Sequence, residues 1–439
     1  MKQLTNLIAL SFLTIGLCSC ENEPVNIEEL IVEIPIEEKL PQVFINTNGA
    51  EIVDEPKINA EMTITVNDEI DYTGAIGIEI RGSSSQMFPK KQFGFETRDA
   101  ANEDMDVSLL GFPEEEDWIL YAPYSDKSLM RNILMYDLSR EIGRYASRAK
   151  FVDVTINESY NGVYLLFEKL KRDNNRIDIN KLKDDENDGE NLTGGYILKI
   201  DKAGGSDETL YTSTNSITSL YAPNNSSSGQ EIHFLYDSPD EEDITTQQRT
   251  YISNYLASFE DALASSDFTD YDIGYNSYID TQSFIDFFLL NELSNNVDGY
   301  RLSTWLVKDK NEKLKMGPIW DFDLGFGNVN YAAPEFPTGF WVQENAWIHR
   351  MLEDPSFALK VKMRFSYFKN KKEALFEMMD EQSLYIYHSQ WINNSIWNVL
   401  GQWVWPNAQV FNSYEEEVLY LKDWIELRLD WLEPEINKL

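Results

Sequence analysis

Apolar and polar positions alternate over residues 60–66 and again over 75–81, which predicts two half-buried strands. A small polar loop, Arg81-Gly82-Ser83-Ser84-Ser85, interrupts the pattern, and residues 90–96 resume it as a third strand. The period then changes. Ser125 is placed to cap a helix running to about Ile142, with Leu129, Ile133, Leu134, Leu138 and Ile142 on one face and Gly143 as the stop. A hairpin follows, with strands at 151–156 and 163–167 joined by the polar turn 157–162. The chain is then polar and loop-rich to about residue 240, broken by a strand at 195–200. Beyond that, helical spacing dominates. Tyr251, Ile252, Tyr255, Leu256, Phe259 and Leu263 share a face of 245–263, and Asp280 caps 284–293. Ser413 and Glu416 form a capping box for a last helix with Val418, Leu421, Trp424, Ile425 and Leu432 inward. The fold class expected is α+β, with a β-rich N-terminal part over 41–170 and a mainly helical part over 171–439.

Inside the helical part, residues 295–328 read as a loop carrying Asp298, a tight β-hairpin, and a second loop carrying Asp321 and Asp323. An acid at each end of one hairpin can put two carboxylates in a single cleft. That arrangement suits one acid orienting a hydroxyl nucleophile while the other holds a divalent metal against a phosphate.

Composition narrows the picture. At 439 residues, with 42% hydrophobic and 13% aromatic side chains, the chain can bury one large core or two medium ones. The 37 basic and 75 acidic residues give a formal net charge of -38, which disfavours nucleic acid and anionic lipid and suits cationic partners. His233, His349 and His388 are too dispersed for a metal site, and the 2 cysteines lie at the extreme N-terminus. There Lys2 supplies a positive start, residues 7–17 an apolar stretch too short to span a bilayer, and Leu17-Cys18-Ser19-Cys20 resembles a bacterial lipobox. The expectation is a lipoprotein signal peptide at 1–19, lipidation of Cys20, and an acidic tether over 20–40. That predicts anchoring to the cell envelope at an outer membrane, on its periplasmic or cell-surface face. Glu21 and Glu23 resemble the acidic export signals of some Bacteroidota lipoproteins.

Several short segments, in order, resemble the spore-coat protein H (CotH) kinase family. They are Arg81-Gly82-Ser83-Ser84-Ser85 with Phe88-Pro89-Lys90-Lys91, Asp117-Trp118, and Asp126-Lys127-Ser128-Leu129-Met130-Arg131-Asn132. Asn161-Gly162-Val163-Tyr164-Leu165-Leu166-Phe167-Glu168-Lys169, Asp298-Gly299-Tyr300-Arg301 and Gly317-Pro318-Ile319-Trp320-Asp321-Phe322-Asp323 complete the set. The resemblance implies an atypical, kinase-like bilobal fold that uses ATP and Mg²⁺ to phosphorylate Ser or Thr of a protein acceptor, one rich in Lys and Arg. It implies Asp298 as the catalytic carboxylate and Asp321 and Asp323 as metal ligands. It also implies Arg81, Ser83, Ser84, Lys91 or Lys90, and the neighbourhood of Glu168 as nucleotide contacts. The chain departs from ordinary kinases: it has no G-x-G-x-x-G and no His-Arg before Asp298, and Ser303 stands where the catalytic-loop Asn would be. Asn295, Asn296 or Asn328 is left to supply the second metal ligand. Two other functions fit the residues: a non-catalytic surface adhesin or pseudokinase, and a glycosidase using an acid pair.

Overall fold

The alternating first third curls into a closed barrel in the computed structural model, which describes residues 39–203, 210–221 and 231–439. Its strands are β1 (Gln42–Asn46), β2 (Ile58–Val66), β3 (Glu69–Arg81), β4 (Gln92–Arg98), β5 (Asp117–Tyr121), β6 (Ala149–Ile156) and β7 (Ser159–Glu168). They neighbour one another in the order β1-β2-β3-β4-β5-β7-β6. All pairings are antiparallel except the closing one, where β1 lies parallel to β6 with Val43 opposite Val154. Period-two side chains fill the interior: Val43, Ile64, Ile76, Phe95, Trp118, Val152 and Leu166 form one core. Strands β5 and β7 are apolar on both faces. Ile119, Tyr121, Leu165 and Phe167 turn outward into the larger core of the helices, so the outer wall of the barrel forms part of a second core. The described residues make up one compact unit.

The helices are α1 (Arg131–Glu141), α2 (Thr246–Ala264), α3 (Thr281–Ser294), α4 (Ala346–Leu352), α5 (Pro355–Lys369), α6 (Lys372–Tyr385), α7 (Tyr387–Trp397) and α8 (Tyr414–Ile436). The capping box of Ser413 and Glu416 starts α8, Asp280 caps α3, and Thr245 caps α2 through a box with Gln248.

Three expectations change. The half read as helical also holds a five-stranded sheet, ordered β12-β11-β8-β10-β9, from β8 (Tyr196–Ile200), β9 (Ser216–Thr218), β10 (His233–Ser238), β11 (Thr304–Lys308) and β12 (Lys315–Met316). Secondly, α1 begins six residues after Ser125. The Asp126 carboxylate accepts from the backbone N–H of Ser128 and Arg131, and Leu129 sits at φ 64, so 125–130 is a turn. Thirdly, the β6–β7 turn is only Asn157 and Glu158, both at positive φ, as a tight hairpin with the sheet's twist requires. Gly162 belongs instead to a bulge at φ 99, where a Cβ would meet Asn393 of α7 at 2.3 Å. Leu40, assigned to the tether, is buried in the large core. The expected signal peptide and Cys20 lie outside the described residues.

Candidate functional site

The 295–328 hairpin forms as expected, β11 pairing with β12 through Leu306 opposite Met316. Strand β11 also pairs with β8, Thr304 lying opposite Ile200. This register brings the C-terminal end of β8, and so Asp201, beside the loop that precedes β11. The same end of the hairpin carries Asp298 before it and Asp321 after it. Ser303 Oγ donates to Asp321 Oδ2 at 3.3 Å, closing one loop on the other.

Asp321 and Asp323 lie side by side, each within the field of the other. Burial, then the charge of Asp298, pushes Asp321 up to about 6. Burial and then the charge of Asp321 hold Asp323 well above the usual carboxylate range. The cation facing them is Arg81 at the end of β3, whose own pKa falls through burial while the charge of Asp321 opposes the fall. Arg81 Nη1 donates to Gln92 Oε1 at 3.2 Å, which aims the guanidinium from the barrel rim. Asp201 is likewise raised by burial, and Asp298 contributes. Asp321 is therefore the centre of the cluster, within the field of Asp298, Asp323, Asp201 and Arg81. Asp298 is buried and forms an ion pair with Arg301, three residues on.

Helix α1 holds the metal-loop candidates in place. Tyr136 Oη accepts from Asp321 N at 3.3 Å, Asn132 Oδ1 accepts from Phe322 N at 2.6 Å, and Arg131 Nε donates to Gly325 O at 3.2 Å. These residues fall at i, i+1 and i+5 of one helix and point at successive turns of the same loop. Trp320 stacks on Tyr136 with ring centroids 5.6 Å apart and meets Phe167 edge-on at 5.9 Å. So fixed, the backbone tolerates unusual torsions: Asp321 has φ 65, Ser303 φ 48 and Tyr300 φ 60. Left-handed torsions on non-glycine residues cost free energy and gather where a loop must aim a side chain.

The other expected residues divide. Ser83 and Ser84 open a short 3-10 turn after Gly82, and Lys202 Nζ lies 3.5 Å from Ser83 Oγ, tying this loop to the end of β8. Lys91 Nζ donates to Gln86 O at 2.5 Å and closes the same loop. Lys90 is placed elsewhere. It is buried, donates to Val163 O at 2.5 Å and Asn393 Oδ1 at 2.8 Å, and lies over the Tyr164 ring. Burial lowers its pKa to about 7. Its role in the structure is to clamp α7 to β7. Glu168 is also fully engaged: Oε1 accepts from Arg148 Nε and Nη2 at 2.9 and 2.6 Å, and Oε2 from Arg148 N at 2.9 Å. Asn328 Nδ2 donates to Asp323 O at 2.8 Å and Asn295 Nδ2 to Phe336 O, so these amides brace loops. Tyr136 and Asp201 were not singled out from the sequence. Asp201 follows directly on the apolar run of β8, and Tyr136 stands four residues after Asn132, the spacing that puts both on one helical face.

Two adjoining carboxyls, partly open to a cleft and beside one arginine, have the donor chemistry of a site for a hard divalent cation. A family model described as CotH kinase protein matches residues 78–432. A search of curated proteins finds no match.

Proposed function

Because the chain belongs to the CotH kinase family, we propose that it is an atypical protein kinase that moves the terminal phosphoryl group of ATP to a Ser or Thr hydroxyl of a protein acceptor. In this reading the barrel and the sheet-plus-helix part act as two lobes, and the cleft between Arg81 and Asp321 takes the nucleotide phosphates. The observation that carries it is the convergence of Asp298 and Asp323 on Asp321, with Arg81 in the field of Asp321. Asp298 orients the acceptor hydroxyl and receives its proton. Arg81 binds phosphate oxygens, with Lys202 and the Ser83–Ser84 turn at the rim. Asp321 and Asp323 would hold Mg²⁺, which when bound supplies neutralisation of the phosphate charge. Tyr136, Asn132 and Arg131 keep the 321–325 loop from moving as charge changes.

The acceptor proposed is a Lys/Arg-rich protein, matched to the net charge of -38. The place of action proposed is the cell envelope outside the cytoplasm, through a lipid on Cys20. A binding-only role, as adhesin or pseudokinase, draws on one observation: Arg301 already pairs with the Asp298 carboxylate.

The test is transfer of labelled phosphate from ATP with Mg²⁺ to a basic protein, comparing the full chain with Asp298→Asn and Asp321→Asn. The expected result is transfer by the full chain and a loss of about 10²-fold or more in each variant. Undiminished transfer by both variants would remove the kinase assignment from this cleft; no transfer by any form would favour the binding role.

A further inference from the structure

Away from the carboxylate cleft, a cavity of about 500 Å³ opens between the residues following α1, the first turns of α3 and the middle of α5. Its charged wall is basic, in a chain whose net charge is -38. At its base lies Asp286, only 1% exposed. Arg144 Nε donates to Asp286 Oδ2 at 2.8 Å, and Arg364 Nε donates to Oδ1 at 2.6 Å. One buried carboxylate thus fixes two guanidiniums and neutralises one of them.

Both arginines are tethered through Nε, which leaves their outer nitrogens for other work. Arg364 Nη2 reaches Ile142 O only at 3.4 Å, and Arg144 Nη2 stands 3.9 Å from Asp280. Lys360, on the same wall, is exposed and forms no ion pair among the described residues. Gln282 also lines the cavity and donates to Asp286 Oδ1 at 3.1 Å, and Ile142, Met363 and Tyr367 give an apolar side, with Met363 67% exposed. The guanidinium of Arg364 also lies 5.0 Å from the Tyr367 ring centre, which limits its freedom further.

We propose that this cavity is a binding site for a phosphate monoester. Arg144 and Arg364 present pre-set forks to phosphoryl oxygens, Lys360 adds a point charge at the rim, and the apolar wall takes the organic part of the ester. Two guanidinium forks and a lysine offer more donors than a carboxylate has oxygens to accept them and match the three oxygens of a phosphoryl group, with Asp286 and Asp280 offsetting part of the positive charge. The acidic remainder of the surface does not forbid this, since its field is screened beyond about 8 Å at physiological salt. Helix α3 runs from this cavity to the loop carrying Asp298, so the two sites lie toward opposite ends of one helix. The inference does not depend on the kinase assignment.

The ester could be a free small molecule or a phosphorylated side chain of a protein, and the probes separate them. The full chain is titrated calorimetrically with inorganic phosphate, O-phosphoserine, and a phosphoserine peptide beside its unphosphorylated form. The expected result is one binding event that requires the phosphate, about fivefold weaker in Lys360→Gln and about tenfold weaker in Arg364→Lys. It should be unchanged in Lys422→Gln, whose amine pairs with Asp380 outside the cavity. Tighter binding of the peptide than of O-phosphoserine would assign a protein source, and equal binding a small-molecule source. Lys360→Gln alters an exposed side chain and keeps the fold. Absence of binding by every phosphorylated probe, or loss in Lys422→Gln with none in Lys360→Gln, would overturn the proposal.

Discussion

Glu292 on α3 and the pair Asp321 and Asp323 are all removed from bulk water, yet they are treated in opposite ways. Glu292 is sealed, and its oxygens are fully supplied: Arg428 Nη2 donates at 2.8 Å, and Trp341 N and Gln343 N donate at 3.1 and 2.7 Å. Arg428 spends its other nitrogens on Glu292 O and the carbonyls of Pro337 and Gly339. Such a group joins α3 to α8 and has no capacity left for a ligand. Asp321 and Asp323 keep some access to the cleft, face each other, and have Arg81 as their facing cation. Burial raises the free energy of the charged form in both places and pushes both pKa values up, but at Glu292 Arg428 and backbone N–H groups oppose the rise, whereas at Asp321 the charge of Asp298 adds to it. A buried acid with complete partners is scaffold. One with a deficit is a place where a cation can bind.

The contrast can be broken from either side. Asp321→Asn removes one negative charge from a crowded site, so phosphotransfer should fall by about 10²-fold or more while the melting temperature holds or rises. A drop in melting temperature comparable to that of a core variant would mean that Asp321 is scaffold after all. Arg428→Ala should behave oppositely, costing about 3–5 kcal/mol in urea unfolding because Glu292 is left charged and unpaired. If stability barely moves, the two classes are not distinct.

A third effect is smaller and depends on pH. Asp321 is raised from 3.8 to about 6, so the folded chain binds its proton more tightly than the unfolded one. That contribution to stability is full below pH 3.8 and is lost as pH rises through about 6. A divalent cation competes for the same oxygens, so stabilisation by Mg²⁺, about 2.7 kcal/mol at 100 times Kd, should develop above pH 6 and shrink at pH 5. A melting shift equal at pH 5 and pH 8 would place the ion elsewhere. The smallest effect expected is that of Lys90→Met, about 1–3 kcal/mol from two lost hydrogen bonds with nucleotide affinity unchanged. Loss of nucleotide binding in that variant, with stability intact, would return Lys90 to the cleft.

Much of this arrangement is legible in the chain. The hairpin between Asp298 and Asp321 follows from local pattern, and the caps at Asp280 and Ser413 follow from side-chain chemistry next to apolar periodicity. The strands β9 and β10 escaped notice because β9 is only 3 residues long and both sit in polar surroundings, paired by tertiary contact. The start of α1 was misplaced because a serine before an apolar stripe suggests a cap, whereas Asp126 folds the backbone into a turn first. Lys90 and Lys91 differ by one position in sequence and both precede β4, yet one reaches a buried clamp and the other a loop carbonyl. Which goes where depends on α7, some 300 residues away, and short-range patterns carry no such information.

The barrel closes along a seam whose two sides are far apart in the chain, β1 pairing with β6 and Thr47 N donating to Asn157 Oδ1 at 2.9 Å. Mechanically, this seam is the first part of the fold to feel tension on the chain ahead of Gln42. Because β1 runs parallel to β6 and antiparallel to β2, such a pull loads both rows of hydrogen bonds together in shear and does not unzip them singly. If β1 were stripped away, β2 and β6 would each expose an open edge, and a closed barrel would become a sheet able to recruit strands from other chains.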